Sequence, residues 1–60
     1  MKVGDLVVVL QYKDVFGLRP PPGSIGIIVD IRKSAWLGTY YYVLISNEHW
    51  RFYKEDLEIL

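Results

Sequence analysis

One imidazole, three serines and seven carboxylates are the groups with which this 60-residue chain could do chemistry. A serine nucleophile needs a base within hydrogen-bond reach. The one imidazole, His49, sits between Glu48 and Trp50 in a polar stretch and reads as a surface side chain rather than a catalytic base. Ser24, Ser34 and Ser46 fall in turn-forming stretches, where a hydroxyl favours local backbone bonds. Structural or catalytic metals need three or four ligands at regular spacing. There is no cysteine here, and the carboxylates are scattered, except for Glu55, Asp56 and Glu58. Of these, Glu55 and Asp56 read as solvent-facing in a helical turn. The "GSIG" at 23–26 opens a strand and not a helix, so it is no phosphate loop. These residues imply no catalysis, no cofactor, no metal and no small-molecule substrate.

Aromatic residues are the informative excess. Seven of the nine lie between 36 and 53: Trp36, Tyr40, Tyr41, Tyr42, Trp50, Phe52 and Tyr53. A 60-residue domain buries only about 60% of the surface its unfolded chain exposes, so it cannot enclose them all. If Tyr41 and Phe52 face inward, strand alternation leaves Tyr40, Tyr42 and Tyr53 on an outer face. One reading makes these rings cross-strand pairs that stabilise the sheet. The other makes Tyr40, Tyr42 and Tyr53, with Trp36 at a hairpin tip, a contact patch for a protein partner or a second copy, because Tyr and Trp dominate binding hot spots. A third, less favoured reading stacks nucleic-acid bases on the tyrosines, with Arg32, Lys33 and Arg51 on phosphates.

Charge gives the nucleic-acid reading little help. Seven basic and seven acidic residues cancel, whereas phosphate contacts normally demand a basic excess. Residues 1–46 carry five basic against three acidic groups, and 47–60 carry two against four, an asymmetry too small to name a partner. No apolar run approaches the roughly 20 residues of a membrane span. The opening "MKVGDLVVVLQ" is interrupted by Gly4 and Asp5 and lacks a small-residue cleavage site, so it reads as a strand of a cytoplasmic protein rather than a signal peptide.

These side chains must be carried by strands, because no helical periodicity extends over a helix length. "DLVVVL" at 5–10 has the form of a strand buried on much of both faces. Residues 14–24 are turn-rich, and proline is excluded from central strands, so they form a long loop. "SIGIIVDIRK" alternates, with Ile25, Ile27, Val29 and Ile31 on one face and Gly26, Ile28, Asp30 and Arg32 on the other. Gly26 inside that pattern marks a bulge or a close backbone approach. Asp30, Arg32 and Lys33 read most simply as a solvated strand face. After a turn at 34–38, "TYYYVLIS" has the strongest β-propensity in the chain, with faces Tyr41, Val43, Ile45 and Tyr40, Tyr42, Leu44. "SNEH" is a four-residue connection, and "WRFY" sets Trp50 and Phe52 against Arg51 and Tyr53. "KED" is a single helical turn, and "LEIL" a last strand with Leu57 and Ile59 inward. Asp5, beside Gly4, caps a turn.

This order resembles the bacterial and phage SH3-like barrels, including the KOW-type domains of ribosomal and transcription proteins. The likeness rests on Gly4-Asp5 opening the first strand. It also rests on Gly23, Gly26 and Ile31 in a G-x-x-G-x-V-x-x-I pattern (Ile28 standing where valine is usual), on Tyr41, Val43 and Ile45, and on the close Asp56-Leu57-Glu58. It covers nearly the whole chain. The resemblance implies an all-β fold: a single domain over 1–60, a small five-stranded barrel with a long first loop and one helical turn before the last strand. In that fold the first loop commonly borders the binding groove, which adds Arg19 and Pro21 to the partner-binding set. KOW-type RNA binders usually have a basic first loop, but residues 12–24 hold only Lys13 and Arg19 against Asp14. The "ALYDY"-like strand of signalling SH3 domains is also missing. Neither binding activity therefore transfers residue by residue.

The "RPPP" at 19–22 could be a ligand for an SH3 domain. It lacks a second PxxP step and runs straight into a strand, so it reads instead as a stiffened loop whose fixed φ angles lower its entropy. The expectation is a non-enzymatic interaction or assembly module, with a KOW-like nucleic-acid-binding domain as the alternative.

Overall fold

The computed structural model describes residues 1–10, 20–36 and 38–60. They form β1 (Leu6–Val9), β2 (Ile25–Ser34), β3 (Gly38–Ile45), β4 (Glu48–Tyr53) and β5 (Leu57–Ile59), with a 3-10 turn at Lys54–Asp56. All pairings are antiparallel, in the order β4-β3-β2-β1-β5 across one sheet. The fold is all-β, as expected. β4 and β5 are the two edges of this sheet and do not pair with each other.

Each strand contributes to one inner face. Val7 and Val9 of β1, Ile28 of β2, Tyr41, Val43 and Ile45 of β3, Phe52 of β4 and Leu57 of β5 form the buried cluster. The described residues include no second layer to cover it, so the sheet must bend around its own core. Gly26 shows how tightly. A Cβ there would lie 2.5 Å from Ile45 Cγ1 and 2.6 Å from both Val43 Cγ1 and the Leu44 carbonyl oxygen. Any side chain would push β2 off β3 where the sheet curls. The close approach expected at this glycine is what the structure shows.

The bulge lies elsewhere, and it rearranges β2. Register with β3 shifts between Ile28 and Asp30, so Val29 is the extra residue. A simple period of two would place Ile28 and Ile31 on opposite faces. The bulge brings both to the core side, with Ile28 buried and Ile31 packed against the cluster, while Ile25 is 57% exposed. The expected face of Ile25, Ile27, Val29 and Ile31 is therefore broken in the middle.

Other expectations change at the sheet's margins. β1 is buried on one face only, since Val7 and Val9 are in the core and Leu6 and Leu10 are about half exposed. A continuous apolar run cannot tell a one-sided strand from a two-sided one. Ile59 is 51% exposed although Leu57 is buried, because β5 is a three-residue edge strand that runs off the core.

The β3–β4 connection is tighter than the four residues expected, for β4 already begins at Glu48. Ser46 (φ 51°) and Asn47 (φ 65°) form a two-residue turn, the type I′ geometry that matches strand twist. Asp56 is buried at 3% exposure rather than solvated. Its Oδ2 accepts the Tyr53 N–H at 3.3 Å and its carbonyl accepts the Leu10 N–H at 2.8 Å, which ties the 3-10 turn to the end of β1. Asp5 does cap a turn: its Oδ2 accepts the Lys2 N–H, and its own N–H donates to the Lys2 carbonyl.

Candidate interaction surfaces

Register across β2, β3 and β4 builds the outer face in rows. Arg32, Tyr40 and Tyr53 are direct neighbours in one row, and Asp30, Tyr42 and Arg51 in the next. The three tyrosines are half-buried, as expected once Tyr41 and Phe52 turn inward. Tyr40 and Tyr42 meet edge to face, with ring centroids 5.8 Å apart and planes at 75°, the geometry the ring quadrupoles prefer. The Arg51 guanidinium carbon lies 5.4 Å from the Tyr40 centroid, a cation–π contact that fixes this row. The rings thus form an ordered surface with their outer sides toward solvent.

Arg32 does not face outward as a lone cation. Its Nε donates to Asp30 Oδ2 at 2.8 Å. That bond, helped by the Ile31 N–H on Oδ1 at 2.9 Å, holds the Asp30 carboxyl below its ordinary value of 3.8 and raises the Arg32 guanidinium. Lys33, paired with Thr39, lies on the opposite face from Arg32. The three basic residues of the nucleic-acid reading are therefore split: Arg32 and Arg51 join the tyrosines, and Lys33 does not.

Trp36 occupies the tip of the β2–β3 hairpin and is 93% exposed. Its N–H donates to Ser34 Oγ at 3.2 Å, so the backbone of the tip is tied while the indole projects freely.

At the opposite end of the same ribbon is an open groove of about 250 Å³. Pro20, Pro21 and Ser24 line one side, and Ile45, Ser46, Glu48 and Trp50 the other. The proline wall is built locally. The Ser24 N–H and Oγ–H both donate to the Pro21 carbonyl, at 3.1 and 2.7 Å. Gly23, at φ 94°, takes the left-handed position that closes a Pro-Pro-Gly-Ser turn of type II. The Gly23 N–H then donates to the Val9 carbonyl, and the Val9 N–H to the Ser24 carbonyl. Pro21 is thus held rigidly opposite Trp50, and Ser24 bonds the backbone as expected of it.

Of the expected partner-binding residues, Trp36, Tyr40, Tyr42 and Tyr53 lie on or beside the outer face of the β2–β4 ribbon, and Pro21 lies in the groove. Arg19 lies outside the described residues. Glu48 and Trp50 line the groove, although the sequence sets one in a polar turn and the other only on the strand face of Phe52, where the structure packs it partly buried against the core. The available signal was a tryptophan close after a tight turn, where a side chain is only partly covered. Among the described residues no group of three or more His, Asp or Glu side chains is placed to hold a metal ion, and no helix is long and apolar enough to cross a membrane. No family model matches the chain, and no curated protein or solved structure is similar enough to it to match.

Proposed function

We propose that this chain is a non-enzymatic protein-interaction and assembly module of the cytoplasm, built as an SH3-like barrel of the bacterial and phage type. The barrel reading is supported by the strand order, the close approach of β3 to Gly26, the long connection between β1 and β2 and the 3-10 turn directly before β5. The observation that carries the functional reading is the ordered aromatic surface. Tyr40 and Tyr42 are locked edge to face, Arg51 is stacked on Tyr40, and Trp36 stands almost fully in solvent beside them. Rigid Tyr and Trp side chains bury large area at low entropic cost when a partner arrives. Rings whose only role was to support the sheet would not require an exposed Trp36.

The test is a pair of variants, Trp36→Ala and Tyr42→Ala, measured for folding by thermal melting and for association by light scattering or capture of a purified partner. Both should stay folded and lose association. If both unfold, the rings are core elements and the reading fails. A second reading, nucleic-acid binding, is favoured by Arg32 and Arg51 sharing the tyrosine face. It requires affinity for RNA or DNA that falls steeply with salt, and no gel shift at low salt would eliminate it.

A further inference from the structure

Trp36 and the proline groove are complementary, and they cannot meet within one molecule. The groove is framed by Ser24 just before β2 and by Ile45 and Glu48 at the β3–β4 turn. The indole follows the far end of β2. From Ile27 to Ser34 the ribbon advances seven residues, about 23 Å at roughly 3.3 Å per residue. The groove's 250 Å³ falls below the roughly 300–1,000 Å³ of small-molecule sites and suits one large side chain. Its walls, two prolines, Ile45 and the half-exposed Trp50 ring, are flat apolar surfaces of the kind on which an indole packs. Charge agrees as well. Exposed Lys33 stands three residues before Trp36, and exposed Glu48 stands on the groove's rim.

We propose that the occupant of the groove is Trp36 of a second copy of this chain, with Lys33 of the incoming hairpin beside Glu48 of the receiving one. This rests on the assembly reading above and names its partner. Plug and socket lie at opposite ends of the β2–β3 ribbon, so the contact is head-to-tail. Each copy that receives a tip still presents its own. Such a contact closes into a reciprocal two-fold dimer or a larger ring, or runs on as an open chain.

The experiment is complementation by sedimentation velocity. Trp36→Ala removes the plug, and the double variant Pro21→Arg/Glu48→Lys closes the socket to a basic hairpin. All three positions are exposed, and thermal melts check that both variants fold. The parent chain should self-associate with concentration, to a reciprocal dimer or beyond. Each variant alone should be monomeric, with the association constant for Trp36→Ala lowered at least about 30-fold, as for a binding hot spot. An equimolar mixture of the two should form one-to-one heterodimers and nothing larger, because only one plug and one socket survive. Undiminished self-association of Trp36→Ala overturns the plug-and-socket contact while leaving assembly through the tyrosine face intact. A parent chain that is monomeric throughout also overturns it, and the assembly reading then stands or falls on capture of a different protein by Tyr42 and Trp36.

Discussion

Replacing Gly26 with alanine tests the close approach of β2 and β3 on which the core depends. At an ordinary strand position the exchange stabilises by about 0.5–1 kcal/mol, because glycine loses more freedom on folding. Here the new methyl would stand 2.5–2.6 Å from three atoms, against about 3.5–4.0 Å for a comfortable carbon contact. Two of these belong to Val43 and Ile45, side chains already packed in the core, and the third is the Leu44 carbonyl oxygen in the strand that pairs with β2. None of the three is the loose end of an exposed side chain. Overpacking of this kind costs about 1–3 kcal/mol, and a backbone obstacle places this case toward the upper end. The net loss is about 1.5–2 kcal/mol.

For a domain of this size each kcal/mol moves the midpoint by about 4–8 °C, so Gly26→Ala should melt about 6–16 °C below the parent. Gly38→Ala is the control. Nothing lies within 4 Å of its Cβ position, and only its φ of 75° opposes the change, which should lower the midpoint less. Adding Val43→Ala to Gly26→Ala should cost less than the two separate losses combined, since the cavity admits the methyl. A Gly26→Ala chain as stable as the parent, or more stable, would refute the close approach.

Further outcomes follow from the same physics. Ser46→Gly should stabilise by about 0.5–1 kcal/mol in urea unfolding, because the left-handed conformation costs an L residue about 1–2 kcal/mol and glycine about half of that is offset by its own entropy. The Asp30 carboxyl should titrate below 3.8 by carbon NMR, because Arg32 and the Ile31 N–H favour its charged form. Its folded value is depressed, so the stability it contributes is complete above 3.8 and is lost as the pH falls through the lower folded value. Asp30→Asn should remove that part of the acid dependence, and an Asp30 that titrates at or above 3.8 would show that the pair does not form in solution.

Much of this molecule is legible in its residues, and the failures have physical causes. β3 declares itself through "TYYYVLI", whose alternation sends Tyr41, Val43 and Ile45 inward and leaves Tyr40 and Tyr42 outside. The exposure of Trp36 follows from its place in a hairpin turn. Alternation misleads at β2, because one extra residue at Val29 reverses the faces beyond it, and a bulge leaves no mark that a run of Ile and Val can reveal. Asp56 is misread because the backbone groups that bury it, the Tyr53 N–H and the end of β1, arrive only with the fold. The groove is hidden for the same reason. Pro21 and Trp50 are 29 positions apart in the chain, and only the sheet order brings them face to face.

That the aromatic surplus serves self-association is tested most directly by light scattering of the parent chain over a concentration series. The weight-average mass should climb from the 7.0 kDa monomer to twice that value or beyond as concentration rises, and stay at the monomer mass in Trp36→Ala. A parent chain fixed at the monomer mass from micromolar to millimolar concentration would contradict it.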